Sequence, residues 1–358
     1  MGNYTTAGGA HVNEVLHWNG RRWSRVPVPS PGGTTGGFSG LGRVICVSPA
    51  SCWAVGEFVK PRGPGLNQVL HWDGRRWSLV PSPDPGGTAP GSSSALLGVR
   101  CTAPGTCWAV GAYVRGRGAP ALNQVLRWNG RRWSLVPSPD PGGKAAGDIS
   151  ELTDIRCTSP ASCWAVGDYG SSVIDLNQVL HWNGRKWSRV PAPDPGGTAS
   201  GDFSALNAVS CPSTASCWAV GGYGSSGSSF TALNEVLHWN GRRWSLALSP
   251  DPDGTGPGAG NFLSDVVCTS TANCWAVGSY GSIRGSGVIL NEALHWDGRT
   301  WSQAPTPNPA GTASGALNFL RGVRCTSPAS CWAVGRDAPA GQSDRNQALR
   351  WNGTRWTG

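Results

Sequence analysis

The sequence predicts an all-β fold, a β-propeller of four-stranded antiparallel blades, seven blades with one incomplete. Three observations carry that prediction. The string Trp-Asn/Asp-Gly-x-x-Trp occurs seven times, starting at Trp18, Trp72, Trp128, Trp182, Trp239, Trp296 and Trp351, at intervals of 54, 56, 54, 57, 57 and 55 residues. Cys-x5-Cys-Trp-Ala-Val-Gly recurs six times between those strings. With Gly 53 and Pro 28 in 358 residues, a helical pattern is broken before it can run, while 20 tryptophans and 39% hydrophobic residues can fill a core. A period of this length built from short apolar runs and turn signals marks a propeller or solenoid array.

One period yields four strands. In the second full repeat the first strand is placed near Leu97–Cys101, the second at Cys107–Tyr113, the third at Asn123–Trp128 and the fourth at Arg131–Pro137. The cysteine pair brackets a short turn and would staple strands one and two. Asn129-Gly130 marks a two-residue type I′ hairpin between strands three and four. In that register, taken at the first copy, Trp18 faces Arg21, His17 faces Arg22 and Leu16 faces Trp23. Gly2-Asn3-Tyr4 matches Gly111-Ala112-Tyr113, so the sequence starts inside a blade. Residues 1–30 then read as an N-terminal half-blade, followed by full blades at about 38–84, 93–140, 148–194, 203–250, 260–307 and 317–358. Six blades plus an extra N-terminal hairpin is the alternative.

Twelve cysteines fall into six pairs at one spacing: Cys46/Cys52, Cys101/Cys107, Cys157/Cys163, Cys211/Cys217, Cys268/Cys274 and Cys325/Cys331. Such regularity reads as a disulfide framework formed in an oxidising, extracellular compartment. Structural zinc sites usually place two to four residues between paired cysteines and need two further ligands, which this pattern lacks, so no metal and no cofactor are expected. No run of roughly 18 apolar residues is present, and no membrane insertion is expected. Met1 to His11 lacks the basic start and apolar run of a signal peptide, and the register suggests that one has been trimmed. The net charge of +9 points to anionic glycopolymers or phosphate-bearing surfaces, with nucleic acid disfavoured.

Every tryptophan belongs to the repeat, two in each of seven hairpins and one in each of six cysteine elements. Their expected role is packing between neighbouring blades rather than sugar stacking. His17, His71, His181, His238 and His295 share a position that holds Arg127 and Arg350 in the other copies. Arginine neither ligates metals nor abstracts protons, so these residues read as cross-strand partners. The arginine pairs after the Asn-Gly turns, such as Arg75/Arg76 and Arg131/Arg132, read as a solvated fringe that discourages edge pairing.

Candidate ligand-binding residues lie beside the link between strands two and three. Asn opens strand three and Gln or Glu follows it: Asn67-Gln68, Asn123-Gln124, Asn177-Gln178, Asn234-Glu235 and Asn291-Glu292. Strand two ends near Phe58, Tyr113, Tyr169, Tyr223 and Tyr280. Amides next to aromatic rings suit a glycan, offering hydrogen bonds to hydroxyls and cover for an apolar sugar face; the competing role for each Asn is to satisfy loop backbone. The links themselves vary between copies, as in Pro61-Arg62-Gly63-Pro64-Gly65 against Gly224-Ser225-Ser226-Gly227-Ser228-Ser229-Phe230, and binding is expected at that variable end. No nucleophile elbow, zinc-protease motif or phosphate loop occurs. Asp84, Asp140, Asp194 and Asp251 recur in a Pro-Asp-Pro turn but give way to Ser30 and Asn308. An acid pair across blades, such as Asp148 or Glu151 with Asp175, is the remaining catalytic option.

The Cys-Trp-Ala-Val-Gly and His-Trp-Asn-Gly-Arg-Arg-Trp strings resemble the tryptophan-rich tandem repeats of secreted actinobacterial proteins, over nearly the whole chain. The use of Arg over Lys, with only three lysines, fits such a source. At the level of architecture the chain is also similar to six- and seven-bladed propeller lectins. These resemblances imply a secreted, non-catalytic, multivalent lectin-like protein that recognises cell-surface or cell-wall polysaccharide through its variable loops. A protein-interaction scaffold within a larger secreted assembly, such as an antibacterial toxin particle, is the alternative. A polysaccharide-active enzyme is the second.

Overall fold

The computed structural model describes residues 1–226, 230–281 and 287–358, which contain no helix. The chain is a β-propeller of four-stranded antiparallel blades, six of them complete and one partial. It divides into two compact units: Met1–Ala165 with Tyr169–Ser172 and Leu180–Arg189, and Val166–Asp168 with Val173–Val179 and Val190–Gly358. The partial blade and the first two full blades belong to the first unit. The last three belong to the second, and the third full blade contributes to both.

The second full blade is typical, with strands Ser92–Ala103, Thr106–Arg115, Ala121–Trp128 and Trp133–Leu135. Its first strand begins earlier than the apolar pattern suggests. Small residues such as Ser92 and Ser93 pair with Arg115 and Val114, and Ser94 Oγ accepts the Gly86 amide at 3.0 Å. The fourth strand is shorter than expected, because Pro137 has no amide to continue the ladder. At the N-terminus, Gly2–Thr5 pairs with His11–Glu14, and Leu16–Trp18 pairs with Trp23–Arg25. These occupy the second, third and fourth strand positions of a blade, as the repeat register anticipates.

The hairpin register differs from the predicted one. Trp18 faces Trp23, His17 faces Ser24 and Leu16 faces Arg25. The Asn19 side chain is the reason. Its Oδ1 accepts the amides of Arg21 and Arg22 at 3.0 and 2.9 Å, moving the turn one residue on. Gly20, at φ 94°, then takes the first central position, as a type II′ turn requires. The paired indoles consequently lie side by side, with ring centroids 5.6 Å apart.

All six cysteine pairs are disulfides: Cys46–Cys52, Cys101–Cys107, Cys157–Cys163, Cys211–Cys217, Cys268–Cys274 and Cys325–Cys331. Their Cα atoms stand 3.9–4.0 Å apart, and no cysteine is free among the described residues. Cys101 stands directly opposite Cys107 in the ladder, so the bridge closes the hairpin across facing residues. The second cysteine of every pair is buried: Cys52 is 7% exposed, while Cys107, Cys163, Cys217, Cys274 and Cys331 are 0% exposed. Each precedes the motif tryptophan and packs into a hydrophobic cluster, Cys52 with Leu70 and Trp77, Cys274 with Leu294 and Trp301, and Cys331 with Leu349 and Trp356. The bridges are therefore more than surface staples of a turn, as the sequence suggests, and they form part of the core rather than of any ligand-facing site. The intact mass of the native protein is expected to lie about 12 Da below that of the reduced chain, two hydrogens per bridge. Twelve titratable thiols before reduction would contradict the framework.

Blades are joined through tryptophan. The Cys-Trp-Ala-Val-Gly indole of one blade packs on both hairpin indoles of the next. Trp53 lies 4.9 and 5.4 Å from Trp128 and Trp133, and Trp218 lies 4.7 and 5.2 Å from Trp296 and Trp301. The shared-position histidines stack on the same indoles from within the blade, as with His71 on Trp53 at 4.4 Å. Arg127 covers Trp108 at 5.3 Å where histidine is replaced, which explains why the two residue types interchange. The glycine that ends the motif is fixed by space. A Cβ on Gly56, Gly111, Gly221, Gly278 or Gly335 would lie 1.8–2.0 Å from a carbonyl oxygen of the first strand.

Candidate functional site

The amides predicted to meet ligand are buried. Asn67, Gln68, Asn123, Gln124, Asn177, Gln178, Asn234, Glu235, Asn291 and Glu292 are all 0–5% exposed. Each Asn ties the blade-to-blade link to its strand. The Asn67 amide donates to Asp84 Oδ1 at 2.6 Å, and Asn67 Nδ2 donates to the Pro83 carbonyl at 2.6 Å. Asp140, Asp194 and Asp251 accept in the same way from Asn123, Asn177 and Asn234. Where the turn carries Asn308 or Ser30, a side-chain oxygen still accepts, from Asn291 at 2.7 Å and Asn13 at 3.1 Å. The position therefore needs an acceptor, not an acid. Satisfying loop backbone is the role these asparagines play, and they leave the set of solvent-facing ligand groups.

The same asparagines reach across to the next blade. Asn67 Nδ2 donates to Gln124 Oε1 at 2.8 Å and Gln124 Nε2 donates back to Asn67 Oδ1 at 2.9 Å. Asn291 and Gln347 repeat this at 2.9 and 3.0 Å. Asn177 meets Glu235, and Asn234 meets Glu292. Burial, opposed only in part by the Asn donor, raises the pKa of both glutamates well above the ordinary carboxylate range.

The aromatic members fare differently. Phe58 is buried, while Tyr113, Tyr169, Tyr223 and Tyr280 are half-buried at the end of strand two. Arg115 lies over the Tyr113 ring at 5.3 Å, and Arg189 both covers the Tyr169 ring at 4.5 Å and donates to its hydroxyl. Of the predicted residues, Tyr280 alone lines a shallow apolar cleft.

That cleft belongs to the second unit, at the variable-loop end of its blades. It is shallow, with a volume of about 50 Å³, and its walls are Phe230, Phe262, Tyr280, Ile289 and Phe319, with Gly258, Gly260 and Gly281 allowing backbone to close in. Phe203, Phe230 and Phe262 are mutually 6.4–6.5 Å apart with interplanar angles of 14–29°. Three equal spacings of near-parallel rings cannot form one column, so the rings make a broad apolar surface. All three, and Phe319, are half-buried rather than sealed. Arg321 and Arg336 lie over the Phe319 ring at 5.3 and 4.8 Å. Arg336 pairs with Asp344, whereas Arg321 meets no carboxylate among the described residues. The link residues 227–229, read as variable in the sequence, lie outside the described residues.

These phenylalanines escaped the repeat-based reading because their positions carry different residue types from blade to blade: Phe262 and Phe319 stand where other copies have Gly40, Ala95, Glu151 and Ala205. The available signal was scarcity: only six phenylalanines occur in the chain, and four of them fall at 203, 230, 262 and 319.

Of the acids singled out in the sequence, Asp148 Oδ2 accepts the Ala145 amide at 2.7 Å and closes a turn. Glu151 interacts electrostatically with Glu57 of the first full blade. Burial first, and then the Glu57 charge, raise the Glu151 pKa, and burial alone raises that of Glu57. No cluster of three or more potential metal ligands occurs among the described residues.

No family model matches this chain, and no curated protein does. Several solved structures are similar in fold. A protein of unknown function from Dyadobacter fermentans superposes with a TM-score of 0.51 at 12% identity, covering 86% of this chain and 92% of its own. A fucose-specific lectin from Aleuria aurantia gives 0.47 at 13% identity, covering 87% and 91%. The GH93 α-L-arabinofuranosidase of Fusarium graminearum, in complex with arabinobiose, gives 0.49 at 13% identity, covering 86% and 92%. At such identities the likeness concerns the fold alone.

Proposed function

We propose that the protein is a secreted, non-catalytic glycan-binding propeller that recognises polysaccharide at the variable-loop end of its blades. The observation that carries this reading is the partly buried phenylalanine surface around Phe230, Phe262 and Phe319. Aromatic area left partly open to water matches the apolar face of a sugar ring. Arg321, which lacks an acid partner among the described residues, favours a sugar that carries a carboxylate or phosphate. Repeated weak contacts along a polymer would add avidity. Six disulfides support assembly in an oxidising compartment.

A glycan array spanning neutral and acidic polysaccharides tests the proposal. Binding is expected, and Phe262→Ala is expected to weaken it about tenfold, about 1.4 kcal/mol, with little change in unfolding midpoint. An array without signal, combined with a protein partner that co-purifies from culture supernatant, would replace the glycan reading with a scaffold role.

Glycoside hydrolysis is a second reading, favoured by the Glu57 and Glu151 pair. Two interacting carboxyls with raised pKa are the raw material for a proton donor beside a carboxylate. New reducing ends from a polysaccharide panel, lost in Glu151→Gln, would support it. A panel left intact by the parent protein would dismiss it.

A further inference from the structure

Four blade-to-blade amide pairs take two forms that differ by one atom; beside the partial blade, Asn13 Oδ1 and both amide atoms of Gln68 are instead buried without a hydrogen-bond partner. In Asn67–Gln124 and Asn291–Gln347, two hydrogen bonds are exchanged and all four polar atoms are satisfied. In Asn177–Glu235 and Asn234–Glu292 only one is made, from Asn Nδ2 to Glu Oε1, at 2.5 and 2.6 Å. The remaining atoms, Asn177 Oδ1 with Glu235 Oε2 and Asn234 Oδ1 with Glu292 Oε2, are buried without a hydrogen-bond partner. All four are acceptors if the glutamates are ionised, and both glutamates are 0% exposed. Among the described residues, the titratable groups interacting with Glu235 are Asp194 and Tyr223, and those interacting with Glu292 are Asp251 and Tyr280, none of them a cation.

We propose that Glu235 and Glu292 are held protonated in the folded protein, each donating from Oε2 to the Oδ1 of the asparagine in the preceding blade. A neutral carboxylic acid then reproduces both bonds of the glutamine pairs and leaves no orphaned acceptor. An ionised carboxylate would sit in a buried site beside acceptor oxygens, with a single Asn Nδ2 donor to offset its desolvation.

The second pair also positions the cleft. Asn234 follows Phe230 by four residues, and Glu292 follows Ile289 by three in the neighbouring blade. The Asn234–Glu292 joint thus fixes the spacing between the cleft's Phe230 wall and its Tyr280/Ile289 wall. This consequence rests on the glycan reading of the cleft; the protonation does not.

The sign of the pH effect follows from linkage. A carboxyl whose folded pKa is raised contributes stability that is complete below its unfolded value, about 4.5, and that is lost as pH rises toward the folded value. Across that window the unfolding constant grows by up to about tenfold per pH unit per glutamate. His71, His181, His238 and His295 act oppositely. Burial lowers their pKa, so they favour the fold above about pH 6.5 and disfavour it as pH falls. Subtracting parent from variant removes their contribution.

The test is urea unfolding of the parent and of the Glu235→Gln/Glu292→Gln double variant from pH 4 to 9. The variant is expected to match the parent near pH 4 and to gain on it by at least about tenfold in unfolding constant by pH 8. Infrared difference spectra supply a second readout, independent of variant folding. The parent at pH 7 is expected to show a protonated-carboxyl band that survives in deuterated buffer at the isotope-shifted position. Equal stabilities at pH 8, or no protonated carboxyl at pH 7, would overturn the proposal. Saccharide affinity that falls above pH 8 in the parent but not in the variant is expected if the joint positions the cleft. Affinity with no pH dependence in either protein overturns that positioning role. Absence of any saccharide binding defeats the glycan reading and removes the role with it, while unfolding and infrared still decide the protonation.

Discussion

Trp108→Ala is expected to lower the free energy of unfolding by about 3–5 kcal/mol. Trp108 is 0% exposed and sits at the joint of the second and third full blades, 4.9 Å from Trp182 and 5.5 Å from Trp187 in an edge-on contact. Leu152, Ile155, Leu180 and the Cys157–Cys163 bridge belong to the same core cluster. Truncation removes the ring's own transfer energy and leaves a cavity that rigid strands cannot close. Trp108 Nε1 is buried without a hydrogen-bond partner, so Trp108→Phe discards an unsatisfied donor and should cost well under the alanine figure. Trp23, in the N-terminal partial blade, is 38% exposed, and Trp23→Ala should cost about 1 kcal/mol or less. Urea unfolding followed by tryptophan fluorescence and by far-ultraviolet circular dichroism checks the ranking. Similar losses at Trp108 and Trp23 would show that the inter-blade indoles do not carry the core.

The scaffold was legible because each of its parts is locally encoded. A cysteine pair with five residues between its members closes the hairpin between them, and a Trp-Ala-Val-Gly run reads as a buried strand. That Cys217 and Cys274 are themselves sealed in the core was not legible, because the side chains that cover them come from a neighbouring strand or blade. The hairpin register was misplaced because Asn-Gly is compatible with two turns, and the choice lies in the Asn19 side chain accepting the Arg21 and Arg22 amides. The functional end was read less well, for a different reason. Asn67 and Gln124 are 57 residues apart, and only the stacking of one blade on the next shows that they satisfy each other. Seen singly, a conspicuous row of amides looks available to ligand. Phe203, Phe230 and Phe262 come from a first strand, a link and the first strand of the following blade. Nothing local brings them together. The alternation of Gln with Glu after the strand-three asparagine was visible in the sequence, but its meaning depends on a partner in the preceding blade.

Gly278→Ala should be a severely damaging single-methyl change in the second unit. A Cβ at this position would lie 1.9 Å from the Phe262 carbonyl oxygen, 2.8 Å from its carbonyl carbon and 2.9 Å from Leu263 Cα. All three are backbone atoms, so no side chain can swing aside. The strand that must yield is Asn261–Ser270, already irregular in register between Leu263 and Asp265. Its displacement would carry Phe262 out of the cleft. Overpacking a core usually costs 1–3 kcal/mol, and contact with immovable backbone places this change at about 3 kcal/mol or more. Gly87→Ala is the matched control. Gly87 has φ 82° and nothing within 4 Å of the added methyl, so it should lose only about 1 kcal/mol through backbone strain. Unfolding midpoints of the two variants decide the matter, with saccharide binding as the second measurement. If Gly278→Ala unfolds within about 1 kcal/mol of the parent and retains its ligand, the glycine closing each Cys-Trp-Ala-Val-Gly motif is not fixed by close strand contact. The register of first and second strands would then need another cause.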